Sequence, residues 1–150
     1  MNLLFEEFIW EFLKKNKKDF YLENVLLQSS KKYVFKEKKF LLKPDIIVKF
    51  QDKKIIIDTK YKKLNKDEQN NWVANWDIYQ MFMYWMRYFN DNDEKNIILV
   101  YPEFKESFNY FFESEENIKI HIKTVNLNIE LYKKSWREKL KSILFEILKF

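Results

Sequence analysis

The sequence predicts an α/β fold in which a sheet is flanked by helices. Two observations carry this. Apolar residues recur at helical spacing near the start, the middle and the end of the chain, and the intervening stretches are short runs of Ile, Val, Leu and Phe bounded by polar or charged residues. The resulting order is helix, three strands, helix, strand, further strands, helix. That order packs most naturally as one sheet with helices laid against it. At 150 residues the chain is read as a single domain spanning 1–150, long enough to bury a core.

Residues 3–15 place Leu4, Phe5, Phe8, Ile9 and Phe12 on one stripe, which predicts an amphipathic helix. "DFYLENVLLQ" and "KYVFKEKKFLL" each hold enough apolar character for a strand, the second against a Lys-rich middle. "PDIIVKFQDKKIIIDTKYK", residues 44–62, reads as two strands around a polar turn. "NKDEQNNWVANW" is polar and reads as a loop, and "DIYQMFMYWMRYF" as a second helix. "NIILVYP" is a buried-type strand ended by Pro102. "FNYFFE" and "IKIHIKTV" are further strands, with His121 expected outward beside Lys119 and Lys123, as a surface residue and not a catalytic base. Residues 131–149 close the chain as a helix through Leu140, Ile143, Leu144 and Ile147.

Composition excludes several functions. There is no Cys, so disulfides and thiolate metal sites are ruled out and a reducing cytoplasm is the expected setting. There is no Gly, so the backbone approaches to phosphate used by P-loops and dinucleotide-binding turns are missing. Any nucleotide-driven motor is then a separate polypeptide. The opening helix is acidic within its apolar stretch and lacks a small-residue cleavage site, unlike a signal peptide. No apolar run approaches the roughly 18 residues of a membrane span. The net charge of +5, almost all from Lys, suits a phosphate-bearing partner and equally suits a compositional bias towards Lys, Asn, Ile, Phe and Tyr.

The hairpin at 44–62 places two carboxylates and a lysine among apolar residues. Strand alternation puts Asp58 and Lys60 on one face. A two-residue turn at Gln51 and Asp52 sets Asp45 opposite Asp58, with β-carbons about 4.5–5.5 Å apart. A turn at Asp52 and Lys53 sets Asp45 opposite Lys60 instead, and an odd-length turn removes it from that face. Ile47 and Ile56 share the carboxylate face, so the site is partly apolar, and a divalent cation would relieve the repulsion between the two carboxylates. Such oxygen ligands suit Mg²⁺. The bland alternative is an edge hairpin with charged strand ends.

These residues resemble the PD-(D/E)XK nuclease motif, with Pro44-Asp45 as its first element and Asp58-Thr59-Lys60 as its second. Two other stretches sharpen the likeness. "WDIYQMFMYWMRY" is similar to the Asp-x-Tyr-Gln-Met-x-x-Tyr helix of the McrC family, the nuclease subunit of McrBC modified-cytosine restriction systems, and "MNLLFEEFIWEFL" to that family's Phe-Glu-x-Phe helix. The resemblance covers roughly residues 1–90. It implies a restriction-endonuclease-like core with a mixed central sheet, and a DNA endonuclease using Mg²⁺ or Mn²⁺. Asp45 and Asp58 would hold the metal, the Thr59 carbonyl and Glu6 would add ligands, Lys60 would assist the attacking water, and Gln80 would stand beside the metal.

Lys62, Lys63 and Tyr84 are assigned to nucleic acid. Each reading has a rival: Glu7 competes with Glu6, Gln80 fits a capping box with Asp77, Tyr84 fits packing against the sheet, and the lysines fit a solvated face. McrC-like proteins usually carry an N-terminal region that engages the McrB GTPase ring. This chain is expected to lack that region, as a truncated, orphan or excised nuclease domain. A McrB-like AAA+ partner is therefore an open expectation. Alternatives from other classes are a catalytically silent nucleic-acid-binding or assembly module, or a nuclease for RNA or branched DNA.

Overall fold

In the computed structural model the described residues are 2–28, 31–50, 53–64, 73–128 and 133–149. The chain runs α1 (Asn2–Lys15), β1 (Leu22–Leu27), β2 (Lys32–Tyr33), β3 (Leu41–Leu42), β4 (Ile46–Phe50), β5 (Lys53–Thr59), α2 (Asn75–Tyr88), β6 (Asn96–Pro102), β7 (Asn109–Glu113), β8 (Lys119–Val125) and α3 (Trp136–Leu148). The six longer strands form one sheet in the order β1-β4-β5-β6-β8-β7. It is mixed: β5, β6 and β8 run parallel, whereas β1, β4 and β7 join antiparallel.

The sheet separates two apolar layers, and alternation assigns each strand residue to one of them. On one side Phe5, Ile9 and Leu13 of α1 and Leu140, Leu144 and Ile147 of α3 cover Ile46, Val48, Ile55, Ile57, Ile98 and Val100. On the other, Met81, Tyr84 and Tyr88 of α2, spaced three and four apart, cover Ile56, Ile97, Leu99, Ile120 and Ile122. β6 is buried along its whole length because both of its faces are roofed. The continuous run "NIILVYP" follows from that.

Two expectations are corrected. The stretch 32–42 does not add a strand to the main sheet: β2 and β3 pair only with each other, Lys32 with Leu42 and Tyr33 with Leu41, as a separate ribbon. Its Lys-rich middle forms the ribbon's tip, where lysines stay in water. His121 is not a surface residue. It is 4% exposed, its Nε2 lies 3.3 Å from Asn96 Oδ1, which can only accept, and its ring lies against Phe111. The reason is that β8 lies between β6 and β7 under α3, so its second face is covered too. Burial, then the nearby Lys123 and Lys119 charges, push the imidazole down to about 4, so it is neutral near pH 7.

Of the polar stretch 65–76, residues 65–72 lie outside the described residues, as do 131 and 132 of the closing segment, whose helix begins at Trp136. The hairpin turn at Gln51 and Asp52 also lies outside them. The register on either side is that of a two-residue connection: Phe50 pairs with Lys53 and Ile46 with Ile57.

Candidate active site

That register brings Asp45, the residue before β4, level with Asp58 near the end of β5. Asp58 alternates with Ile57 and Thr59 and so faces α2, one pleat above Ile56. It is 1% exposed. Asp45 is freer because it stands just outside the ladder, and its carboxylate turns towards the strand end. Its Oδ2 accepts the Thr59 backbone N–H at 2.7 Å and the Thr59 hydroxyl at 2.8 Å. Thr59 therefore serves as the brace that holds Asp45 beside Asp58.

Lys60 continues the parallel ladder one residue past β5, its N–H donating to the Val100 carbonyl at 2.9 Å. This fixes its side chain back over Asp58, with Nζ 2.5 Å from Asp58 Oδ2. The same ammonium donates to Gln80 Oε1 at 2.9 Å. Gln80 Nε2 in turn donates to the Tyr84 hydroxyl at 2.8 Å, four residues along α2. The Tyr84 hydroxyl stands 3.3 Å from Asp58 Oδ1 and 3.2 Å from the Lys43 carbonyl, two acceptors for one proton. A closed polar ring results: Asp58, Lys60, Gln80, Tyr84 and back to Asp58.

Electrostatics follow from this burial. Desolvation, then the Asp45 charge, push the Asp58 carboxyl up to about 7, against the opposing pull of Lys60. Lys60 goes up as well: burial pulls it down most strongly, but the charge and hydrogen bond of Asp58, with the Asp77 and Asp45 charges, together outweigh that. Above about pH 7 the pair is a buried carboxylate facing an ammonium. Asp58 Oδ2 makes no hydrogen bond of good geometry beyond that ion pair. A buried carboxylate oxygen with spare acceptor capacity is a fitting donor for a hard cation, which takes oxygen ligands and often binds through one or two carboxylates.

Glu6 is brought near but not in. It is buried on α1, and its Oε1 accepts from the Gln28 side chain at the end of β1. Burial, then the Asp45 charge, hold its pKa above the usual range. Among the described residues no three acidic or imidazole side chains gather around a common point. In this arrangement the Glu6 carboxylate is held by Gln28. Glu7, its rival, is exposed.

Gln80 forms no capping box with Asp77, as α2 starts from Ala74 without a side-chain cap. Asp77 is instead buried, accepting from the Tyr101 hydroxyl at 3.1 Å and pairing with Lys62. The expected nucleic-acid contact of Tyr84 is also corrected: it is 1% exposed and belongs to the polar ring beneath the site. Lys63 is exposed, whereas Lys62 has its charge partly matched by Asp77.

Sequence reasoning missed Gln28 and the Tyr84 hydroxyl as positioning groups. Gln28 carried no signal, since it reaches Glu6 from a left-handed backbone at φ 41° that no local pattern announces. Tyr84 did carry one: a polar-tipped aromatic on the buried stripe of α2, one turn after Gln80.

The molecule is an α/β protein whose charged, partly buried site is built on one hairpin and closed by one helix. It belongs to the family of McrBC 5-methylcytosine restriction system components, whose profile matches residues 1–102. Among solved structures it is similar to a chain of the refined half-complex from the tetradecameric assembly of Thermococcus gammatolerans McrB AAA+ hexamers with bound McrC. The likeness covers 99% of this chain and 33% of that one, at 18% identity and a TM-score of 0.70. At that identity it is a likeness of fold, and the chain spans about a third of the structure it matches. No curated protein matches the chain. No helix among the described residues is long and apolar enough to cross a membrane.

Proposed function

We propose that this chain is the DNA-cleaving part of a McrC-type restriction component, a PD-(D/E)XK endonuclease that hydrolyses phosphodiesters with Mg²⁺ or Mn²⁺. The observation that carries the reading is Asp58: a carboxylate 1% exposed, beside a second carboxylate, held against an ammonium at 2.5 Å. Burying a charge is costly, and a purely structural hairpin gains nothing from it. Perturbed, clustered titratable groups of this kind favour a site of chemistry.

Asp45 and Asp58 would hold the metal, with the Thr59 carbonyl in reach of the same strand end. The metal would supply Lewis-acid polarisation of the phosphodiester and a more acidic bound water. Lys60 lies between Asp58 and Gln80, where its ammonium can orient a water or meet charge on the phosphate. Gln80 and Tyr84 keep that ammonium and Asp58 in register, and α2 excludes bulk water from one side. The opposing lysines at the surface, Lys63 among them, would meet the nucleic acid backbone. The family and the similar assembly of AAA+ hexamers with bound McrC support a McrB-like AAA+ GTPase as the partner, and the lack of Cys suits a cytoplasmic setting.

Thermal melts test the metal site without asking for turnover. Asp45→Asn keeps an acceptor oxygen for the Thr59 N–H and hydroxyl, so its fold should survive. Wild type should melt higher with Mg²⁺ or Mn²⁺ than with chelator, because an ion bound only by the folded state stabilises it. Asp45→Asn should lose most of that difference. Equal shifts in the two proteins would remove the metal from the account.

A further inference from the structure

The chain between β1 and β4 keeps its aromatic side chains at the surface. Phe35 and Phe40 are 53% and 71% exposed, and across from them on the first turns of α2 Trp76 and Tyr79 are 81% and 57% exposed. These four rings border a groove of ≈ 620 Å³ between the β2–β3 ribbon and α2. That volume lies within the range of about 300–1,000 Å³ typical of ligand sites. Exposed apolar residues are ordinary when scattered, but gathered ones mark a binding surface. Phe40 sharpens the point. It sits at φ 56°, a region disfavoured for a bulky residue, and its ring is turned to solvent and not to the core.

Two features say what would lie there. Gln80, whose side chain accepts the hydrogen bond from Lys60, is one of the residues lining the groove, which places the groove beside the candidate active site. Among the described residues no charged side chain lines it, yet the ribbon tip beside it carries exposed Lys36, Lys38 and Lys39 against the single Glu37. Apolar ring faces flanked by ammonium groups match a strand of nucleic acid, whose bases stack and whose phosphates are negative. An apolar helix or strand of a protein partner would match the rings and leave the lysines without a role.

We propose that this groove holds one or two unstacked bases of a single-stranded segment next to the phosphate presented to Asp58 and Lys60. The proposal rests on the nuclease reading and adds its substrate class: DNA that is unpaired, or readily unpaired, beside the cut. Trp76, Tyr79, Phe35 and Phe40 stack the bases, and the ribbon lysines meet the backbone.

The test is the affinity of a fluorescein-labelled oligothymidylate, and of a duplex of the same length, by fluorescence anisotropy. Ca²⁺ replaces Mg²⁺ so that neither is cut. The proteins are wild type, Trp76→Ala, Phe40→Ala and Trp76→Phe. Loss of either stacking ring should weaken single-strand binding about tenfold, with a smaller effect on the duplex, and Trp76→Phe should restore most of it. Both alanine positions are exposed, so melting temperatures should stay within a few degrees of wild type. Single-strand affinity equal to wild type in both alanine variants, or no single-strand binding by wild type, would overturn the groove assignment. The same proteins assayed for cutting with Mg²⁺ separate the two ideas. Cutting with unchanged single-strand affinity leaves the nuclease and removes the groove. Ring-dependent binding without any cutting, whether alone or with a cognate AAA+ subunit and GTP, keeps the groove and removes the nuclease.

Discussion

Asp58, on which the proposed chemistry turns, also sets a pH dependence. Its carboxyl is pushed from 3.8 to about 7, chiefly by burial and then by Asp45, so the folded state binds this proton more tightly than the unfolded chain does. The stability this contributes is fully present below the unfolded value of 3.8 and is lost as pH rises through about 7. Between pH 5 and pH 8 wild type should therefore lose about 2 kcal/mol relative to Asp58→Asn, which has no proton to release there. Urea unfolding of both proteins at the two pH values checks this, and parallel profiles would mean that Asp58 titrates as an ordinary carboxylate. A cation competes with the same proton, so stabilisation by Mg²⁺ should grow with pH across the same window.

Individual residues of the site were unevenly legible in the sequence. Asp58 and Lys60 could be read because strand alternation puts them on one face, whereas Gln80 was legible only through the family resemblance of its helix. Glu6 could not, since its orientation is decided by Gln28 from another element.

At the scale of elements, α2 does two jobs with one face. Met81 packs against the sheet, while Gln80 and Tyr84 on the adjoining edge reach the polar ring. The two jobs should separate by mutation. Met81→Ala should cost about 2–5 kcal/mol through the cavity it leaves, with little effect on the metal-dependent shift in melting. Tyr84→Phe keeps the ring in the core and should cost only about 0.5–1.5 kcal/mol. It removes a hydrogen bond from Asp58, however, and should slow any cleavage more than Met81→Ala does at a temperature where both are folded. Chemical denaturation beside a cleavage time course tells them apart; the reverse ranking in cleavage would deny Tyr84 its positioning role.

The helices and the 44–62 hairpin were legible because their periods of 3.6 and 2 are long and unbroken. The ribbon at 32–42 was not, because two-residue strands have no period to read. His121 was misread for a different reason. Alternation tells which residues share a face, but only topology tells whether that face is covered, and β8 lies inside the sheet.

At the scale of the molecule, a mixed six-stranded sheet holds the hairpin between α2 and α1, and a net charge of +5 surrounds it. The fold class was foreseeable from the order of elements; the strand order was not, because β8 enters parallel to β6 with β7 outside it. Under the proposed function, GTP hydrolysis falls to a partner and chemistry on DNA to this chain, which carries no Gly-based nucleotide motif. The most direct measurement is cleavage of plasmid DNA by the purified chain, with Mg²⁺, Mn²⁺ or chelator, alone and with a cognate AAA+ subunit and GTP, for wild type and Asp58→Ala at equal folded concentration. Nicking or linearisation by wild type that needs the metal and falls at least a hundredfold in Asp58→Ala, on the order of 3 kcal/mol in the barrier, is the predicted result. DNA left intact by wild type under every one of these conditions, or cut equally by Asp58→Ala, would contradict it.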